Sequence, residues 1–97
     1  MPTYIILGNF TQKGLKTIKN MPKAVEQARK VAKSLGGDVK ELYFTLGRYD
    51  FIAIAEGPDV ETIMKAILTT ATAGTFNTET LTAIPTDKVE EILKELP

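Results

Sequence analysis

The sequence predicts an α+β domain of the ferredoxin-like class: a βαββαβ sandwich with a four-stranded antiparallel sheet and an extra C-terminal helix. Three observations carry this. Four short runs read as strands, and amphipathic runs of helical period follow the first and the third of them. The second and third strand runs are separated only by a tight polar turn, which makes them a hairpin. Two split βαβ halves of this kind close into one antiparallel sheet, and right-handed crossovers place both helices on one side of it. The 97 residues form one domain, 1–97, with room for one modest core.

Tyr4 to Phe10 (YIILGNF) is expected as the first strand, because β-branched and aromatic residues dominate it. Thr11 to Met21 follows as a long basic connector carrying Lys13, Lys16 and Lys19 and no acid. Pro22 suits the first turn of a helix, where its missing N–H is not needed. Ala24, Val25, Ala28, Ala32 and Leu35 then share one face, and Gly36-Gly37 ends that helix. Val39 to Leu46 and Phe51 to Glu56 (FIAIAE) are the hairpin strands, turning through Gly47–Asp50. Asp59 is a natural N-cap for a helix with Val60, Ile63, Met64, Ile67 and Ala71 in line. Gly74 stops it, and Phe76 to Ile84 is the fourth strand. Pro85 and the N-cap candidate Thr86 open the last helix, with Val89, Ile92, Leu93 and Leu96 on one stripe.

Composition narrows the chemistry. Twelve Lys and Arg balance twelve Asp and Glu, which argues against bulk attraction to nucleic acid or an anionic membrane. There is no Cys and no His. Disulfides, thiol nucleophiles, imidazole bases and Cys/His zinc sites are therefore excluded. No carboxylates have the spacing of a Mg or Ca site, so neither metal nor cofactor is expected. No apolar run approaches the roughly 20 residues of a membrane span, and no leader pattern opens the chain. The expectation is a cytoplasmic protein.

Alternation sorts the strand residues into two faces. Ile5, Leu7, Leu42, Phe44, Leu46, Ile52, Ile54, Leu81 and Ala83 form an almost purely aliphatic set, expected under the helices. Tyr4, Ile6, Phe10, Tyr43, Phe51 and Phe76, with Ala53, Ala55 and several threonines, form the other set, expected on the open face. Such a face is too apolar for water and marks an interaction surface. The expected partner is a second copy, sheet against sheet, with higher assembly open. The small residues would leave a pocket between the sheets for an anionic or aromatic ligand. Tyr4, Tyr43 and Tyr49 would form its wall, Arg48 would recognise charge, Asp50 would act as a base, and Lys13 would stand near the mouth. The turn also has a plain structural reading: Gly47 supplies a positive-φ position, Asp50 bonds turn amides and Arg48 pairs with a carboxylate.

The stretches LGRYDFIAIAEGPD, TETLTAI and FTQKGLKTIKNMPKAVEQA resemble the GYD domain family of bacteria and archaea, named for a Gly-x-Tyr-Asp motif, here Gly47, Tyr49 and Asp50. The resemblance spans nearly the whole chain. It implies a dimeric α/β barrel of ferredoxin-like subunits, an architecture that also hosts cofactor-free monooxygenases, lactone isomerases and ligand-binding modules. Lys23 stands where many members carry Arg after the helix-opening Pro, and Lys is a poorer bidentate partner for carboxylate or phosphate. The function expected is a homodimeric small-molecule-binding or regulatory module. A cofactor-independent enzyme using tyrosines and Arg48 is the alternative. An RNA-binding sheet of the RRM type shares the element order, and Tyr49 and Phe51 imitate its stacking pair. Against it stand Ile6 where an aromatic is needed, the reversed Gly47-Arg48 order, and the negative Asp50.

Overall fold

Four strands form one antiparallel sheet in the order β2-β3-β1-β4: β1 Thr3–Phe10, β2 Asp38–Phe44, β3 Phe51–Glu56 and β4 Phe76–Ala83. The computed structural model describes all residues, Met1–Pro97. The helices are α1 Gln12–Lys16, α2 Met21–Ser34, α3 Val60–Ala71 and α4 Thr86–Lys94. Order and topology are those of the ferredoxin-like class. No helix is long and apolar enough to cross a membrane.

Local chemistry explains the boundaries. The Asp59 carboxylate accepts the Thr62 amide N–H at 2.8 Å and caps α3. Gly36 ends α2 at φ +85°. Pro85, not Thr86, holds the N-cap position of α4, in extended backbone and without a side-chain cap bond. The basic connector is not irregular. Thr11 caps the short α1 by accepting the Gly14 amide at 3.1 Å, and its own hydroxyl donates to the Gly74 carbonyl at 2.6 Å. One threonine thus ties the end of β1 to the start of β4, and a 3-10 turn at Ile18–Asn20 leads into α2.

In β1, β3 and β4 the two sheet faces are the reverse of the sequence expectation, while Leu42, Tyr43 and Phe44 of β2 lie as expected. Register pairs Tyr4 with Ala55, Ile6 with Ala53 and Gly8 with Phe51, and this set lies under α2 and α3. Tyr4 is 4% exposed, and Phe51, Ala53 and Ala55 are also buried. The face without helices carries Ile5 opposite Ile54 and Leu7 opposite Ile52, with Leu81 opposite Ile5 on the other side. Both sets are apolar, so alternation separates them without saying which one the helices choose. Helix α2 approaches β2 and α3 approaches β4, and the small Ala53 and Ala55 of the inner strand β3 line the space beneath both. At Gly8 a Cβ would run into the Phe51 ring.

A shift of register in β2 between Val39 and Glu41 is the second departure. One extra residue lets Val39 and Leu42 both face the helices, along with Phe44, while Glu41 and Tyr43 pair with Ile54 and Ile52 on the open side. Beside the irregularity, Arg29 of α2 donates to the Val39 carbonyl at 2.7 Å.

Candidate functional site

The open sheet face is the first candidate. Its centre is Ile5, Leu7, Ile52 and Ile54, half-buried in the single chain, with Leu81 at 43% exposure beside them. Two tyrosines border it. The Tyr43 hydroxyl donates to Glu41 at 3.1 Å, and the Tyr49 hydroxyl donates to Glu79 at 3.3 Å. The bond to Glu41, helped by its charge, raises the Tyr43 phenol pKa, because the carboxylate holds the proton. On the edge strand, Lys40 pairs with Asp38 and Glu56, both at 3.5 Å, and the charge of Glu56 first, then its hydrogen bond, raises the lysine pKa.

Tyr43 and Tyr49 are therefore on the open face, as expected, and Tyr4 is not: it lies buried beneath the helices. Carboxylates, not lysines, accompany the two tyrosines. Arg48 is exposed in the turn and makes no salt bridge. Lys13, on α1, passes beside Gly74. Lys13, Arg48 and Asp50 share one end of the sheet, where β1 and β2 stop and β3 and β4 begin.

Asp50 is a tie between elements. Its Oδ2 accepts the Phe10 amide N–H at 2.9 Å, its own N–H donates to the Gly8 carbonyl, and its carbonyl accepts from Thr45, both at 2.8 Å. The acceptor contact reaches β1 instead of the turn amides. Gly47 does take the positive φ expected of it, +108°. Because β3 begins only at Phe51, alternation does not run back through the turn: Tyr49 goes to the open face while Phe51 packs under the helices. The paired stacking platform of an RRM is consequently absent, the two rings being on opposite faces.

A second candidate was not legible as such. Between the sheet and α2 and α3 lies a cavity of about 130 Å³, with 18 of its 24 lining residues hydrophobic. All four phenylalanines of the chain line it. Each is the last or first residue of a strand: Phe10 and Phe44 end β1 and β2, and Phe51 and Phe76 begin β3 and β4. Their rings touch in sequence, Phe44–Phe10 at 6.4 Å, Phe10–Phe51 at 5.6 Å and Phe51–Phe76 at 5.5 Å between centroids. They close one end of the helix–sheet layer. Further along, Ala24, Ala28 and Ala32 of α2 and Ala66 of α3 line the same space as Ala53 and Ala55. Small residues at these positions were the signal available in the sequence.

The family model described as "GYD domain" matches residues 4–93. The chain is similar to the "Glutamine synthetase and cystathionine beta-lyase binding protein" of Thermus thermophilus, 35% identical over 86 residues, covering 88% of this chain and 90% of that protein. Among solved structures, MtbAldR superposes with a TM-score of 0.67 at 18% identity, over 87% of this chain and 52% of the other, so this chain spans about half of that one. The structure of TTHA0845 from Thermus thermophilus superposes at 0.55 with 24% identity, over 88% and 95%. These structural likenesses establish a shared fold.

Proposed function

The chain belongs to the GYD domain family, and on that premise we propose that it is a regulatory binding module that pairs with a second copy through its open sheet face and acts by docking on other proteins. The observation that carries the pairing is the helix-free apolar surface of Ile5, Leu7, Ile52, Ile54 and Leu81. A sheet face of this kind finds its stable partner in another sheet about 10 Å away. Tyr43 and Tyr49, hydrogen-bonded to Glu41 and Glu79, then stand at the border of the stack, where amphipathic rings suit a surface that is part dry and part wet. A small molecule held between the sheets would meet these two side chains first.

Docking on other proteins is the property named in the Thermus relative, whose length this chain nearly matches. The partners proposed are of the same kind: enzymes of amino-acid metabolism. Light scattering behind gel filtration at micromolar concentration tests the dimer, and a monomeric mass overturns it. Biolayer interferometry against glutamine synthetase and cystathionine β-lyase of the same source tests the docking. Failure to bind either enzyme removes that transfer and leaves the dimer standing.

A further inference from the structure

We infer that the cavity between the helices and the sheet is a binding site for a small apolar molecule, an aromatic ring or short hydrocarbon chain, seated over Ala53 and Ala55 and entered past Phe10, Met21 and Phe44. Its size comes first. The volume is about 130 Å³, with one side open, and an engineered cavity of about 150 Å³ is enough to hold benzene.

The lining decides what can occupy it. A buried water needs two to four polar partners, and the polar groups here are mostly engaged already. The Thr70 hydroxyl lies 3.0 Å from the Ala66 and Ile67 carbonyls of its own helix. Arg29 donates to Val39. What remains is chiefly alanine, isoleucine and phenylalanine surface, which favours a solute with no hydrogen bonds to satisfy.

The space has a definite origin. Native cores set large side chains against small ones across facing layers. Here Ala28 of α2 and Ala66 of α3 line the same space as Ala53 and Ala55, and Ile5, Leu7, Ile52 and Ile54 of β1 and β3 lie on the other face. No side chain of the core is completely buried. The unfilled volume is thus written into the residue choice at these positions.

It also has a way in. A neighbouring hollow is lined by Phe10, Ile18, Met21, Phe44, Thr45 and Asp50, and Phe10, Met21 and Phe44 line both spaces. Phe44 is 61% exposed, and Met21 is an unbranched, adaptable side chain. A ligand with one polar end would keep that end in this hollow, beside the Thr45 hydroxyl and the Asp50 carboxylate. That such a molecule serves as a signal rests on the regulatory reading above; its binding does not.

The test uses the full chain, labelled with nitrogen-15 and titrated with benzene to its solubility limit. Saturable amide shifts are expected around Ala28, Ala53 and Ile67, together with a rise in Tm. Ala28→Leu and Ala66→Leu each fill part of the space. Each is expected to raise Tm and to weaken benzene binding by at least about tenfold, or roughly 1.4 kcal/mol. Absence of saturable shifts in the wild type overturns the site, as does unchanged affinity in both variants. If both variants fail to fold, a wild-type crystal under xenon pressure decides: xenon over Ala53 supports the site, and its absence there overturns it. Mass and enzyme docking measured with and without benzene separate the two proposals. Binding that changes neither one overturns the signalling role alone.

Discussion

Asp50 shows how a residue that looks catalytic can be a strut. Its carboxylate satisfies the Phe10 amide across 40 positions of sequence. Asp50→Ala leaves that part-buried donor without a partner, at a cost of about 1–3 kcal/mol. Asp50→Asn keeps an acceptor oxygen and should recover most of it; urea denaturation of the two variants gives the comparison. Asp59 is a simpler case. Hydrogen bonding from Thr62, its side chain first and then its amide, lowers the Asp59 pKa. A carboxyl whose folded pKa is depressed adds stability above its unfolded pKa and loses it as pH falls through the folded one. Asp59→Ala should therefore lower Tm at neutral pH, and the gap to wild type should narrow as pH drops through the carboxylate range. A gap that stays constant in acid would mean that helix propensity, not the charged cap, sets the effect.

At the scale of elements, the register shift in β2 and the isolation of α4 matter most. The shift turns a strand of mixed pattern into one that feeds Val39, Leu42 and Phe44 to the helices and Tyr43 to the open face. Period-two reading cannot anticipate it, since one extra residue exchanges the faces beyond it. α4 was legible as an amphipathic helix, but its apolar side finds little to cover: Val89, Ile92, Leu93 and Leu96 are all exposed. It follows directly on the strand that carries Leu81 and Ala83, at the margin of the open face. A chain ending at Pro85 should keep its sheet, as amide exchange in β1 and β3 would show. It should also dimerise less tightly by analytical ultracentrifugation, because α4 is then one more apolar surface covered by the second copy. Equal dimerisation would exclude α4 from the interface.

For the whole molecule, two surfaces compete for apolar side chains, and one layer is left under-filled. The stacked dimer predicts a contrast between neighbours in β3. Ile54→Glu places a carboxylate in the middle of the sheet-to-sheet contact and should weaken the dimer by at least about a hundredfold while leaving a folded monomer. Ala53→Glu, one position away, points beneath the helices and should unfold the domain. Circular dichroism and light scattering on the pair would reverse the face assignment if the two outcomes were exchanged.

The order of the four strands and of helices α2, α3 and α4, the hairpin, the helix caps at Asp59 and Gly36 and the positive φ at Gly47 were determined by the sequence alone, because each depends on contacts within a few residues; α1 and the 3-10 turn in the basic connector were not. Two apolar faces, and hence a surface for association, were also legible from alternation. Which face the helices cover was decided only in three dimensions. It depends on which residues far apart in the chain come to line one layer, Ala53 and Ala55 of β3 with Ala28 and Ala66 of the helices, whose small size matters only once they share it. The same arrangement leaves the cavity, moves Tyr4 from an expected ligand wall into the core, and leaves Tyr43 and Tyr49 on the exposed side.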